Sequence, residues 1–285
     1  MNAKQESVAA KRGFLDNNFH FFDLQDSREL HIESHYHDFY KIVIFLSGKV
    51  TYYIDGASYD LRPWDILLIN RDTMHKPAVD TSTPYKRIIL WLKPAFLAEL
   101  GDKQTDLSAC FILSAQNRFH LLRTASTTTV LIQAILSQLS DASQSRYADD
   151  ELLCRALLTQ FLIYLNRQSS TSATDFASTP NEHPNAEIYK ILQYIDTHLA
   201  DDLAIENLAR RFFFSRYYLM RKFKQQTGYS VHQYILQKRL IAANQLLRTG
   251  LPVMTVCLEC GFRDYANFAR AFKKQYNIIP SRISV

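Results

Sequence analysis

Three histidines in the first third of the chain have types and spacing that could do chemistry. His35-Tyr36-His37 puts two imidazoles on one side of a strand or bend, and His75 follows about 40 residues on. Imidazole sets of this kind bind divalent metals or hydrogen-bond a small ligand. They also occur as packed core residues with their hydrogen bonds satisfied. Cys257 and Cys260 form a CxxC, a spacing used in redox and zinc sites. There is no second CxxC, and no strand pattern precedes this one. Three residues apart on a helix, the two thiols share a face and are expected to be buried as small hydrophobes. With Cys110 and Cys154 the chain has four cysteines in 285 residues, too few for a secreted disulfide framework.

The remaining chemistry is charge on helical faces. Residues 186–285 carry 15 Lys/Arg against 7 Asp/Glu, a net of +8, and residues 1–185 carry 18 against 21, a net of −3. All the excess positive charge sits in the last third, as expected if that part alone meets a polyanion such as a phosphate backbone. Within it, Leu219 and Phe223 are an i,i+4 pair that must face a core. That turns Tyr217, Met220, Arg221 and Lys224 outward on a helix opening at Arg216. Phe268 and Phe272 are a second such pair, leaving Tyr265, Ala266, Asn267, Ala269, Arg270 and Lys273 partly outward. A face of cations, an aromatic and a flexible apolar side chain can enter a major groove. Tyr217 or Tyr265 could instead pack at a domain edge.

The elements holding these residues follow from periodicity. The strand-like region has runs at 41–46, 50–54, 66–69 and 87–92, and Asp55-Gly56 supplies a tight hairpin. Short strands at regular spacing predict a sandwich or barrel. After Pro94 the pattern turns helical, with one stripe at Val130, Leu131, Ala134, Ile135 and Leu139. A second, at Leu153, Leu157, Phe161 and Tyr164, begins after Asp149-Asp150. Residues 168–184 are rich in Ser, Thr and Pro and predict a linker. Beyond it come helices at 186–199, 205–211, 216–226, 231–247, 253–259 and 265–275, with Ser215 and Asp264 as caps and Gly228 as a stop. Two helix-turn-helix units thus flank one long helix. At 17 residues that helix is about 25 Å long, which suits two readers about one DNA turn apart.

This last region resembles the AraC/XylS family of transcription regulators. The motifs LARRFFFSRYYLMRKFKQQTGYS, RLIAANQLL and CGFRDYANFARAFKKQYNIIPS carry the likeness over about 100 residues. The resemblance implies DNA contact through Tyr217, Met220 and Arg221 in the first recognition helix. In the second it implies Tyr265, Ala266, Asn267 and Arg270. It also favours activation through RNA polymerase. Two departures stand out. Phe213 occupies a turn position where Gly is common, so that turn is expected to be held by aromatic packing. Ile279 precedes Pro280 where a capping Thr is usual, so the last helix is expected to be a short turn. Upstream, residues 33–77 resemble the cupin HxH…H pattern, with Gly48 at the motif's closing position. Metal-binding cupins have a Glu after HxH, and the matching place here holds Lys41, a cation that cannot ligate a metal.

The reading that results is an α+β multidomain chain. A polar arm (1–20), carrying Phe14, Leu15 and Phe19, precedes a cupin-like β-barrel (21–95). A helical region (96–167) follows, whose Leu153–Tyr164 stripe suggests dimerisation. A linker (168–185) then leads to an all-α double helix-turn-helix domain (186–285). The expected function is a ligand-responsive, sequence-specific DNA-binding regulator, not an enzyme. Its DNA-binding set is Arg216, Tyr217, Met220, Arg221, Lys224, Tyr265, Ala266, Asn267, Arg270 and Lys273, and its ligand-binding set is His35, His37, Lys41 and His75. No metal or cofactor is expected. The expected partners are double-stranded DNA, a small-molecule effector with carbohydrates among the candidates, RNA polymerase and a second copy of the chain. The N-terminal segment MNAKQESVAAKRG lacks the apolar core of a signal peptide and no run is long enough to span a membrane, so a cytoplasmic location is expected. One rival reading is a metal-dependent cupin enzyme with an appended DNA-binding module. Another is an architectural DNA-binding protein with an inert barrel.

Overall fold

The computed structural model describes residues 15, 17–26, 37–71, 73–117, 119–175 and 186–283. His35, Phe14 and most of the expected arm lie outside these. The chain divides into two compact units, one of residues 1–55 and 59–182 and the other of residues 183–285 with the short stretch 56–58.

In the first unit the described residues form eight strands in two sheets. One has the order β1 (Phe19–Asp26), β7 (Tyr85–Leu92), β2 (Tyr40–Ser47), β5 (Ile66–Ile69) and β8 (Leu121–Leu122), and the other has β4 (Ala57–Asp60), β3 (Lys49–Ile54) and β6 (His75–Asp80). The expected barrel is therefore two open sheets, without a ladder closing them among the described residues. The chain changes sheet between β4 and β5, where Trp64 takes a positive φ of 70°. The hairpin at Asp55-Gly56 has the positive φ angles foreseen for it, 45° and 88°.

Alternation along β2 and β7 separates two buried layers. Tyr40, Ile42, Ile44, Ile88, Leu90 and Leu92 face one way. They pack with helices α1 (Pro94–Leu100), α2 (Ala109–Asn117), α3 (Ser126–Gln144) and α4 (Asp150–Asp175). By alternation Lys41, Val43, Phe45, Arg87, Ile89 and Trp91 face the other way. In register, Lys41 pairs with Trp91, Val43 with Ile89 and Phe45 with Arg87. Burial on both sides explains why these strands read as nearly unbroken apolar runs.

Three expectations need correction here. Leu157 and Phe161 of the stripe read as a dimer surface are buried in this unit's own core, because the outer side of the five-stranded sheet needs a cover. Leu152 and Leu153 remain exposed. Helix α4 runs on to Asp175, so residues 168–175 are helix and not linker. Ser170 donates its hydroxyl to the Asn166 carbonyl at 2.9 Å, the back-bond by which Ser is accommodated in a helix. Phe19 and His20 belong to β1, not to an arm. The Phe19 ring stacks on Phe96 at 5.8 Å, and Leu15 is buried.

The second unit is all helical: α5 (Ala186–Thr197), α6 (Ile205–Arg211), α7 (Arg216–Thr227), α8 (Val231–Leu247), α9 (Val253–Glu259), α10 (Tyr265–Tyr276) and a closing 3₁₀ turn, Pro280–Arg282. The Ser215 and Asp264 side chains accept from the Tyr218 and Asn267 amides, and Gly228 ends α7 at φ 72°. Ser230 and Gln233 form a reciprocal capping box at the start of α8. That long helix serves two cores. Near its start Tyr234 packs edge-on to Phe223, and near its end Leu240, Ala243 and Leu247 pack with Phe268 and Phe272. Among the described residues no helix is long and apolar enough to cross a membrane.

Candidate nucleic-acid interface

Each helix-turn-helix unit hides one side of its second helix and presents the other. Leu219, Phe223, Phe268 and Phe272 are fully buried, as the i,i+4 spacing predicts. On α7, Tyr217 is 75% exposed, Met220 is exposed, and Arg221 and Lys224 are in solvent. Arg216 is exposed too, and its guanidinium sits 2.9 Å from Glu206 on α6. These five residues line a cleft of about 1120 Å³, with Asn267 of α10 on the opposite wall. Tyr265, Ala266, Arg270 and Lys273 lie on the exposed side of α10, outside the cleft. Arg270 is tied to its own helix: Nη2 donates to Asn267 Oδ1 at 2.5 Å and Nε to the Ala266 carbonyl at 3.3 Å. The cleft thus joins cations and hydrogen-bonding side chains of both units on one face, as a polyanion requires.

The first turn is held by aromatic packing as expected, but not by the Phe213 ring. Phe213 takes the left-handed conformation at φ 57°, yet its ring is 96% exposed and holds nothing together. The turn is closed instead by the Phe214 amide donating to Ala209 at 2.9 Å and by Phe214 against Tyr218. The CxxC behaves as its helical spacing implies. Cys257 and Cys260 are both buried in the core of the second helix-turn-helix unit, and burial pushes the Cys260 thiol up to about 11. Burial also raises Cys257, so both are thiols at neutral pH.

In the first unit the structure brings His37 and His75 together, with ring centroids 5.0 Å apart and both side chains buried. His37 Nδ1 is 2.6 Å from the Phe39 carbonyl and His75 Nδ1 is 2.9 Å from the Thr73 carbonyl. A carbonyl can only accept, so each Nδ1 carries a proton. The rings continue an aromatic run, with Phe39 stacked on His37, Trp91 beside Phe39 and Tyr52 stacked on His75. Lys41 is 2% exposed on the inner side of β2. His35, the remaining member of the expected set, lies outside the described residues.

The chain matches two family models. Residues 23–162 match the AraC-like ligand binding domain, and residues 208–284 match a helix-turn-helix domain. The chain belongs to the AraC family. Its curated relatives include the "Probable transcriptional regulator LumQ" of Photobacterium leiognathi, 26% identical over 87% of this chain and 90% of the relative. The "HTH-type transcriptional activator RhaS" of Salmonella schwarzengrund is also 26% identical, over 87% and 86%. Among solved structures, the C-terminal domain of AraT, a response regulator from Geobacillus stearothermophilus, is 28% identical over 35% of this chain and 84% of that one, with a TM-score of 0.34. This AraC-family chain is a DNA-binding transcription regulator with a ligand-binding domain.

Sequence reasoning passed over several residues of this AraC-family protein. Arg263 and His232 line the cleft but lie outside the two helical faces considered. Arg263 directly precedes the cap Asp264, a position from which a side chain can reach past the helix start. Trp91 reads in the sequence as one more apolar residue of a strand. Its indole N–H is buried and has no acceptor among the described residues, so it is an unused donor next to Lys41 in the sheet.

Proposed function

We propose that this AraC-family protein activates transcription when a small molecule occupies its N-terminal domain. In this reading α7 and α10 enter two successive major-groove segments on one side of a duplex. Tyr217, Met220, Arg221, Tyr265, Ala266, Asn267 and Arg270 read bases, and Arg216, Lys224 and Lys273 hold phosphates. The observation that carries it is the outward placement of both sets on two helix-turn-helix units joined by one 17-residue helix. The effector is held by His37, His75 and Lys41, with His35 and the Trp91 N–H as further contacts. Flat aromatic walls with a few polar groups suit a sugar ring or another partly apolar ring. Activation through RNA polymerase is favoured by relatives named as activators. Val130, Leu131, Leu152 and Leu153 are among the exposed apolar residues available to a second copy. A cytoplasmic location fits a regulator that must reach DNA.

Genome-wide mapping of bound sites tests the core of this reading. The expected result is a motif of two short segments about one helical turn apart, ~10 base pairs, upstream of genes whose transcription rises with a particular metabolite. A single short segment, bound with the same affinity when its flanks are scrambled, refutes two-segment reading.

A further inference from the structure

Between the two helix-turn-helix units lies a junction whose Asp201, Asp202, Arg239 and Gly261 also line the cleft, although none of them belongs to either recognition helix. The loop leaving α5, residues 199–202, passes beside the middle of α8 and the turn between α9 and α10. Arg239 of α8 is half-buried there. Its Nε donates to the Leu199 carbonyl at 2.9 Å, and its Nη2 donates to the Asp201 carbonyl at 2.8 Å. From the other side comes Gly261, the turn glycine of the second unit, at φ 76°. A Cβ on Gly261 would stand 2.2 Å from the Leu199 oxygen and 2.8 Å from Arg239 Nη2. Backbone of the second helix-turn-helix unit therefore touches the loop that leads into the first helix-turn-helix unit, with the guanidinium wedged beside the contact. Exposed Arg263 and Asp202 add a looser charge contact at 3.5 Å.

Arg239 also sits where α8 passes from one core to the other. Tyr234 before it packs on Phe223, and Leu240 just after it packs on the core of Phe268 and Phe272. A helix held by a separate core at each end can bend or twist between them unless something braces it. The planar fork of one arginine, donating to two carbonyls of the α5–α6 loop, is a brace that a point charge cannot copy.

We propose that Arg239 is the positioning residue that fixes the separation and rotation of the two recognition helices, and so sets which half-site spacing is bound. The proposal rests on the reading that both units engage one duplex. One base pair of extra spacing shifts the second segment by about 3.4 Å and rotates it around the axis, so a braced pair of readers tolerates little change.

The experiment uses the full-length protein and a duplex that it selects from a random library. Variants of that duplex carry one or two base pairs inserted or removed between the two segments, and binding is measured by fluorescence anisotropy at fixed salt. The wild type is expected to lose at least about tenfold in affinity on a one-base-pair change. For Arg239→Met the same change should cost no more than about twofold, while native-spacing affinity falls by about three- to tenfold. Arg239→Lys, which keeps the charge but reaches only one carbonyl at a time, should fall between the two; it decides the matter if Arg239→Met does not fold. A variant that keeps the wild-type spacing preference, whether weaker on every duplex or unchanged on every duplex, overturns the proposal alone. A wild type indifferent to spacing overturns the proposal together with two-segment reading.

Discussion

Arg270 and Asn267 offer the sharpest quantitative test of the reading face. The guanidinium is bound to Asn267 Oδ1 at 2.5 Å, and both side chains are exposed. An exposed polar contact of this kind adds only about 0–1 kcal/mol to folding. Its larger effect falls on binding, where ordering a long side chain costs about 0.5–1.5 kcal/mol. Part of that ordering is already done in the free protein. With the Asn267 carbonyl engaged, the pair presents N–H donors outward, a match for the O6 and N7 acceptors of guanine. Arg270→Ala is then expected to lower specific DNA affinity by about 1–3 kcal/mol, roughly 5- to 150-fold, with stability changed by less than about 0.5 kcal/mol. Asn267→Ala should cost about 0.5–1.5 kcal/mol by freeing the guanidinium. The two act as a unit, so the double variant should lose clearly less than the sum. Gel-shift titrations at fixed salt and a urea melt of each variant provide the measurements. Unchanged affinity and unchanged base preference for Arg270→Ala would refute the assignment, and strict additivity would refute the pairing.

Other expectations follow from single features. Phe213→Gly should stabilise the second unit by about 0.5–1 kcal/mol: it relieves a left-handed side chain costing about 1–2 kcal/mol, loses some backbone entropy, and gives up no packing; a lower melting temperature would show that the ring makes a contact. Lys224→Ala and Lys273→Ala should each weaken binding similarly on all sequences and reduce the slope of log affinity against log salt by about 1; a sequence-dependent loss would reassign them to base contact. Asp264→Ala removes the cap on the Asn267 amide and should cost about 0.5–2 kcal/mol in a denaturation midpoint, with no change meaning that the cap is dispensable. Burial holds the Cys260 thiol up near 11, so the unfolded chain ionises first and stability should fall as pH rises past the unfolded value near 9.0; native protein should also resist alkylation at pH 8, and rapid labelling of Cys257 or Cys260 in the folded state would contradict their burial.

How far the sequence could be read depended on whether a residue's role is set by neighbours along the chain or by neighbours across the fold. The helix-turn-helix elements came out within a residue or two because local signals define them. Ser215, Asp264 and Gly228 mark ends by backbone chemistry, and the i,i+4 phenylalanines mark the inward side. The Leu153 to Tyr164 stripe was equally clear as a periodicity, but its partner was not. An apolar stripe says that something covers it, and only the five-stranded sheet's outer layer, drawn from strands between Tyr40 and Leu122, reveals that the cover is internal. Which strands pair was less legible for a related reason, since strand pairing is long-range and Trp64's positive φ has no signature in residue type. Phe213 is the instructive case. Its position demands a left-handed backbone, which Gly supplies freely, and a phenylalanine there suggested packing as compensation. The ring instead lies in solvent, so the local strain is borne by the surrounding helices: α6 and α7 bury Leu208, Leu219 and Phe223, and the Phe214 amide closes the turn whatever residue 213 is. The same logic hid Arg239. An arginine in the middle of an amphipathic helix reads as a solvated charge, and nothing local says that two carbonyls 38 and 40 residues away converge on it. A residue that sets the geometry between two readers has its partners in both, and therefore has no signature in either.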